Sequence, residues 1–172
     1  MTEDAEEDLQ YPGRWAAEDP DRPAIVMAES GDSMTFGELD AEANRISHLF
    51  RGLGIGPGEH VAFCLENRIE FLALAWGAHY AGLYYTAISS RLTADEISYI
   101  VQDCGAKVFV TSPFKADEVA EISAATPRVE ARFAIGGLVE GYASFEDAVA
   151  AQSVEPLEDR TEGQDMLYSS GT

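Results

Sequence analysis

The chain ends on Met166-Leu167-Tyr168-Ser169-Ser170-Gly171-Thr172, an apolar strand start that empties into small polar residues. Small residues let backbone N–H groups approach oxygen, and hydroxyls add further donors, which suits a phosphate. Ser169, Ser170, Gly171 and Thr172 are therefore the candidate phosphate-binding residues. Taken alone, four small polar residues at a chain end more often mark a frayed terminus. The further glycine, the lysine and the helix of a complete phosphate loop do not occur after them in the 172 residues.

Other residues capable of chemistry carry weaker patterns. His48, His60 and His79 lack metal-ligand spacing and an obvious carboxylate partner, so each is expected to be a structural or surface histidine. Glu66 and Glu70 stand four apart around a helix start, where capping accounts for Glu70 without an acid-base role. Cys64 and Cys104 are too few for a disulfide framework and are read as reduced core thiols of a cytosolic protein. Tyr84 and Tyr85 occupy strand positions, where packing is the usual reason for an aromatic residue. No Ser/His/Asp or Cys/His arrangement stands out, so no catalytic and no metal-ligating residue is assigned.

The elements that would position a phosphate site alternate between strand and helix. Thr35-Phe36-Gly37-Glu38 is a capping box that opens a helix, with Leu39, Ala43, Ile46, Phe50 and Leu53 as its apolar stripe. Residues 61–65 form a continuous apolar run, the pattern of a strand covered on both faces. Asn67 with Glu70 is expected to open a second helix, residues 83–88 a strand, and Thr93 with Glu96 a further capping box. That helix buries Ile97, Ile100, Val101 and Cys104 and stops at Gly105. Strands at 107–111 and 131–135, helices at 116–125 and 145–151, and a last strand beginning at 166–168 complete the pattern. Such alternation needs crossover connections, which build a mostly parallel sheet with helices on both faces. The fold class is α/β, with an antiparallel hairpin at about 24–28 and 33–36 as the exception.

Composition narrows the function. Eleven Lys and Arg against 31 Asp and Glu give a formal charge of −20, and the basic residues are scattered singly. Nucleic acid, whose phosphates require clustered positive charge, is excluded as a partner class. Residues 1–10 are acidic, with neither a basic start nor an apolar run, so they read as a disordered leader rather than a signal peptide. No window reaches the roughly 20 apolar residues of a membrane span. A cytoplasmic protein is expected.

The order of motifs adds more than any one of them. Met34-Thr35-Phe36-Gly37-Glu38-Leu39 resembles the early Leu-Thr-Tyr-x-Glu-Leu motif of the adenylate-forming (AMP-binding) superfamily. Gly54-Ile55-Gly56-Pro57-Gly58-Glu59-His60-Val61-Ala62 and Leu65-Glu66-Asn67-Arg68-Ile69-Glu70-Phe71 follow at family-like distances. Arg91-Leu92-Thr93-Ala94-Asp95-Glu96-Ile97 and Asp103-Cys104-Gly105-Ala106-Lys107-Val108 resemble segments of its acyl-CoA synthetase, or fatty-acid–CoA ligase, branch. Tyr168-Ser169-Ser170-Gly171-Thr172 is similar to the opening of that family's phosphate loop, Tyr-x-Ser-Gly-Thr-Thr-Gly-x-Pro-Lys-Gly. The chain departs from the family at Ala87-Ile88-Ser89, where Pro-x-Asn is frequent, and at Tyr84-Tyr85, which replace smaller apolar residues.

The resemblance implies an ATP-dependent ligase that joins a carboxylic acid, here a fatty acid, to CoA through an acyl-adenylate, with magnesium beside the ATP phosphates. It implies that residues 11–172 are the N-terminal portion of the large domain, cut inside the phosphate loop. The rest of the large domain and a small C-terminal domain would be missing. The resemblance then implies that Ser169, Ser170, Gly171 and Thr172 contact the ATP phosphates, that the 172 residues alone are inactive, and that an uncovered apolar face drives self-association. The alternative is a freestanding, non-catalytic α/β module that binds a nucleotide or a protein.

Overall fold

The computed structural model describes residues 10–168. The acidic leader, apart from Gln10, and the four candidate phosphate-binding residues lie outside them.

Local rules place the first elements. Pro12 at the first helical position opens α1 (Pro12–Glu18), where its fixed φ suits the turn and its missing N–H costs no hydrogen bond. β1 (Pro23–Val26) and β2 (Ser33–Thr35) pair antiparallel as a small sheet of their own. The expected hairpin therefore forms, but outside the main sheet. The capping box at Thr35 and Glu38 is complete and starts α2 (Phe36–Gly52). Leu39, Ala43, Ile46 and Phe50 are buried along it as the stripe requires. Leu53 is not: it is the C-cap residue and 37% exposed, because the helix ends before the stripe completes another turn.

Six strands form the main sheet in the order β7-β6-β5-β3-β4-β8, and every pairing in it is parallel. They are β3 (His60–Leu65), β4 (Tyr84–Ser89), β5 (Val108–Thr111), β6 (Ala131–Ala134), β7 (Ala143–Ser144) and β8 (Gln164–Asp165). Connecting them are α3 (Glu70–Tyr80), α4 (Ala94–Asp103), α5 (Val119–Ala125) and α6 (Phe145–Ala150). Strand residues alternate between two cores. Val61, Phe63, Leu65, Val108, Val110 and Phe133 meet α2, α3 and α6, whereas Ala62, Cys64, Ile88 and Phe109 meet α4 and α5. Right-handed crossovers explain the layering: β3 to β4 moves one way across the sheet, β4 to β5 and β5 to β6 move back, so α3 covers one face and α4 and α5 the other.

Three expected boundaries shift. Asn67 does not cap α3, whose N-cap position is Ile69 with no side-chain cap, because Arg68 takes the Glu70 carboxylate instead. The helix expected from residue 116 begins at Val119, after a 3-10 turn (Pro113–Lys115) that Ser112 caps. The last strand is Gln164–Asp165, two residues ahead of its expected start.

The return to β8 is pinned by packing rather than propensity. Arg160 lies over the Tyr80 ring at 3.2 Å, and the Tyr80 hydroxyl donates to Asp40 at 2.6 Å and accepts from the Gly13 N–H at 3.1 Å. Buried Gly163 donates its N–H to the His79 carbonyl at 2.9 Å. A Cβ at Gly163 would press on the Leu83 carbonyl oxygen and come within 2.9 Å of the Ala78 carbonyl oxygen and His79 Cα. These are backbone atoms and cannot swing aside. Gly163→Ala is therefore expected to cost about 1–3 kcal/mol and to displace β8. Amide exchange followed by mass spectrometry should show Gln164 and Met166 losing protection while β3 keeps its own.

Candidate functional site

Because all six strands are parallel, their carboxyl ends lie along one edge, where open α/β sheets bind ligands. The chain leaves β3 toward α3 on one face and leaves β5 toward α5 on the other, so a crevice opens between those two strand ends. Glu66 follows β3 and Ser112 follows β5, and the Ser112 hydroxyl donates to the Glu66 carboxylate across it. Arg68 donates to Glu66 at 3.0 Å and forks onto both oxygens of Glu70 at 3.2 Å. At the end of β6, Gly136 has φ +78 and lies where a Cβ would collide with the Arg68 guanidinium. Its N–H donates to Glu146 at 2.6 Å. On the opposite face Lys115, itself buried, donates to the Leu92 carbonyl at 2.9 Å and to Glu118 at 3.0 Å, tying the loop after β4 to the loop after β5.

The crevice is thus filled by the protein's own charges, and its role is to hold five strand ends in fixed relation. Arg68 and Lys115 are both committed to carboxylates. Burial by itself raises the Glu66 carboxyl pKa. The hydrogen bonds from Ser112, from its own backbone amide and from Arg68 outweigh burial and hold it below the ordinary value. A lowered folded-state pKa contributes stability above the unfolded value, and that contribution is lost as pH falls through the folded value. Ser112→Ala removes one of the lowering bonds from a carboxylate whose side chain is about a third exposed and that keeps Arg68, at about 0.5–1.5 kcal/mol. In urea titrations from neutral pH to about pH 3, the variant's acid loss of stability should begin at a higher pH than the parent's.

The other sequence candidates take structural positions. His48 Nε2 and His79 Nδ1 each hydrogen-bond a backbone carbonyl at 2.9 Å, from Glu155 and Gly163. His60 stacks on Tyr84 at 5.0 Å at the opposite end of the sheet, and Tyr85 stacks on Phe63 at 5.7 Å. Cys64 and Cys104 are free and buried, and burial pushes the Cys64 thiol up to about 12, so it is no nucleophile at neutral pH. Among the described residues no group of three or more His, Cys, Asp or Glu side chains is placed to hold a metal ion. No helix among them is long and apolar enough to cross a membrane.

Ser169, Ser170, Gly171 and Thr172 lie outside the described residues, but the strand that leads to them is placed. β8 runs parallel to β4 at the edge of the sheet, so the chain leaving it heads for the carboxyl edge. A groove of about 650 Å³ runs beside it, lined by Thr86, Ile88, Leu92, Tyr99, Ile100 and Tyr168 among others.

The model of the AMP-binding enzyme family matches residues 13–172, nearly the whole chain. The chain belongs to that family. It is 31% identical over 163 residues to long-chain fatty acid transport protein 1 of Homo sapiens, covering 89% of this chain and 25% of that protein. With the long-chain-fatty-acid–CoA ligase FadD13 of Mycobacterium tuberculosis it shares 36% identity over 91 residues, 53% of this chain and 18% of the ligase. Its fold superposes on an anthranilate CoA ligase bound to anthranoyl-AMP with a TM-score of 0.84 at 25% identity, over 96% of this chain and 33% of that one. A Mycobacterium tuberculosis fatty acyl CoA synthetase gives a TM-score of 0.81 at 25% identity, over 92% of this chain and 32% of that one. The family membership makes this parallel sheet part of the N-terminal domain of the adenylate-forming fold. The chain spans about a quarter of the length of the fatty acid transport protein it matches.

Proposed function

We propose that these residues are the first part of an ATP-dependent acyl-CoA synthetase that activates a fatty acid, with Ser169, Ser170, Gly171 and Thr172 as the opening of its ATP-phosphate loop. The observation that carries this reading is the placement of β8: parallel to β4 and aimed at the carboxyl edge, beside the fixed strand ends. The fatty-acid names of the relatives support the substrate class.

In the proposed reaction a carboxylate oxygen of the acid attacks the α-phosphorus of ATP, forming acyl-adenylate as pyrophosphate leaves. The CoA sulfur then attacks the acyl carbonyl carbon, and AMP leaves with the electron pair of the broken C–O bond. This chain's contribution is electrostatic. Backbone N–H groups and hydroxyls after β8 would donate to phosphate oxygens, on a base kept rigid by Glu66, Arg68, Ser112 and Lys115. Among residues 10–168 no group of three or more His, Cys, Asp or Glu side chains is gathered for the expected magnesium.

The 172 residues alone are expected to form no acyl-adenylate, since the lysine of the phosphate loop and the later family motifs are not among them. The test is exchange of labelled pyrophosphate into ATP by the native protein that carries these residues. Exchange with palmitate and none with amino acids is expected. Exchange with amino acids and none with fatty acids would overturn the substrate class.

A further inference from the structure

Lys115 is the only buried cation among the described residues. Its side chain is 7% exposed, whereas that of its carboxylate partner Glu118 is 34% exposed. Such a pair gains little net stability, because desolvating the ammonium offsets the attraction. Removing the ammonium strands no buried charge either, since the Glu118 carboxylate can turn to water. An apolar side chain of similar length would therefore serve folding equally well.

What an apolar side chain would not keep is the bond to the Leu92 carbonyl. Lys115 stands in the turn after β5 and Leu92 in the turn after β4, and β3 lies between those two strands. At the usual spacing β4 and β5 are about 10 Å apart, so only a long side chain that ends in a donor bridges their turns. Ser89-Ser90-Arg91-Leu92 is closed by the Leu92 N–H on the Ser89 carbonyl at 3.2 Å and by the Arg91 N–H on the Ser89 hydroxyl at 3.3 Å. These bonds fix the shape of the turn and not its place. Besides the packing of the Leu92 side chain on the core beneath α4, two side chains hold it from outside. The Cys64 thiol reaches the Ser89 carbonyl at 3.7 Å, a weak bond, and the Lys115 ammonium holds the Leu92 carbonyl at 2.9 Å. The turn belongs to the carboxyl edge, where parallel sheets bind ligands, and its strand is the neighbour of β8.

We propose that Lys115 is a positioning residue for the ligase reaction: through the Leu92 carbonyl it holds the 89–92 turn where the reaction needs it, while contributing little to folding. The reaction in question rests on the acyl-CoA synthetase reading, whereas the tie between the two turns does not. A charge that folding does not require, buried where it fastens a loop of the ligand-binding edge, is then retained for the place of that loop.

The test compares Lys115→Met and Glu118→Gln in the native protein that carries these residues. Lys115→Met should keep the parent's thermal unfolding midpoint, while amide exchange followed by mass spectrometry shows the 89–92 turn exchanging at least about tenfold faster. In the formation of palmitoyl-CoA its kcat should fall about 10- to 100-fold with KM for ATP within about twofold, the result of groups that are bound but misplaced. Glu118→Gln removes the ion pair and leaves the Leu92 bond, so its kcat and its exchange at 89–92 should match the parent's. A clearly lowered midpoint for Lys115→Met would make Lys115 a structural cation and overturn the proposal. Parent-like exchange at 89–92, parent-like kcat, or an equal loss in both variants would overturn it as well. A parent inactive on palmitate fails the ligase reading instead, and exchange at 89–92 then still decides whether Lys115 holds the turn.

Discussion

Phe63→Ala is expected to remove about 3–5 kcal/mol of folding stability, the range for emptying a packed aromatic site. Phe63 lies inside β3, a central strand, and is 1% exposed. Its ring meets Phe71 of α3 edge-on at 5.1 Å and stacks with Tyr85 of β4 at 5.7 Å. A cavity there has walls on a sheet strand, which cannot move in without breaking ladder hydrogen bonds, and on the start of α3, which is held by its own packing on the core. Since a domain's whole stability is about 5–15 kcal/mol, the loss approaches the scale of unfolding. Urea titration followed by the fluorescence of Trp15 and Trp76 should show the transition moved far toward lower denaturant. Leu53→Ala, at a 37% exposed helix end, should change stability by no more than about 0.5 kcal/mol. Equal shifts for the two variants would contradict the placement of the core.

The contrast between these residues shows what the sequence carried. Periodicity placed both Phe63 and Leu53 inside, and it was right where the chain is locally self-consistent. The capping boxes at Thr35 and Thr93 are complete within four residues, and both form as expected. The continuous apolar run at 61–65 announces a strand buried on both faces, and it is; the strand expected at 107–111 also forms, as Val108–Thr111. Asn67 with Glu70 offered the same local signal as the other boxes but failed. The competitor was Arg68, whose charge-assisted fork onto Glu70 outweighs a neutral cap. α1 was missed although Pro12 at its first position was a usable sign.

The carboxyl edge was less legible, for a physical reason. Glu66 and Ser112 are 46 positions apart, and Arg68 meets Gly136 across 68, so no window of sequence contains either contact. Gly136 was the one available clue, since a glycine just past a strand often permits a close approach by another group. Gly163 is a similar case: its necessity comes from the Leu83 and Ala78 carbonyls, which only the fold brings near. By contrast, the tail beyond Tyr168 is ambiguous by composition and gains its phosphate reading only from the family-like motifs that precede it, and that proposed role depends on where the chain leaving β8 delivers it.

That delivery is best tested at Gly171 in the native protein. If Ser169, Ser170, Gly171 and Thr172 open the ATP-phosphate loop, then Gly171→Val puts a branched side chain where the backbone must approach phosphate oxygen. The expected loss is on the order of 10²–10³ in palmitate-dependent pyrophosphate exchange, the scale of losing one preorganised donor to a developing anion. The variant's unfolding transition should match the parent's, so that the loss is one of phosphate binding and not of folding. Exchange at the parent's rate, with KM for ATP unchanged, would contradict the account: phosphate would then be held elsewhere, and the strand end at Tyr168 would have no part in binding it.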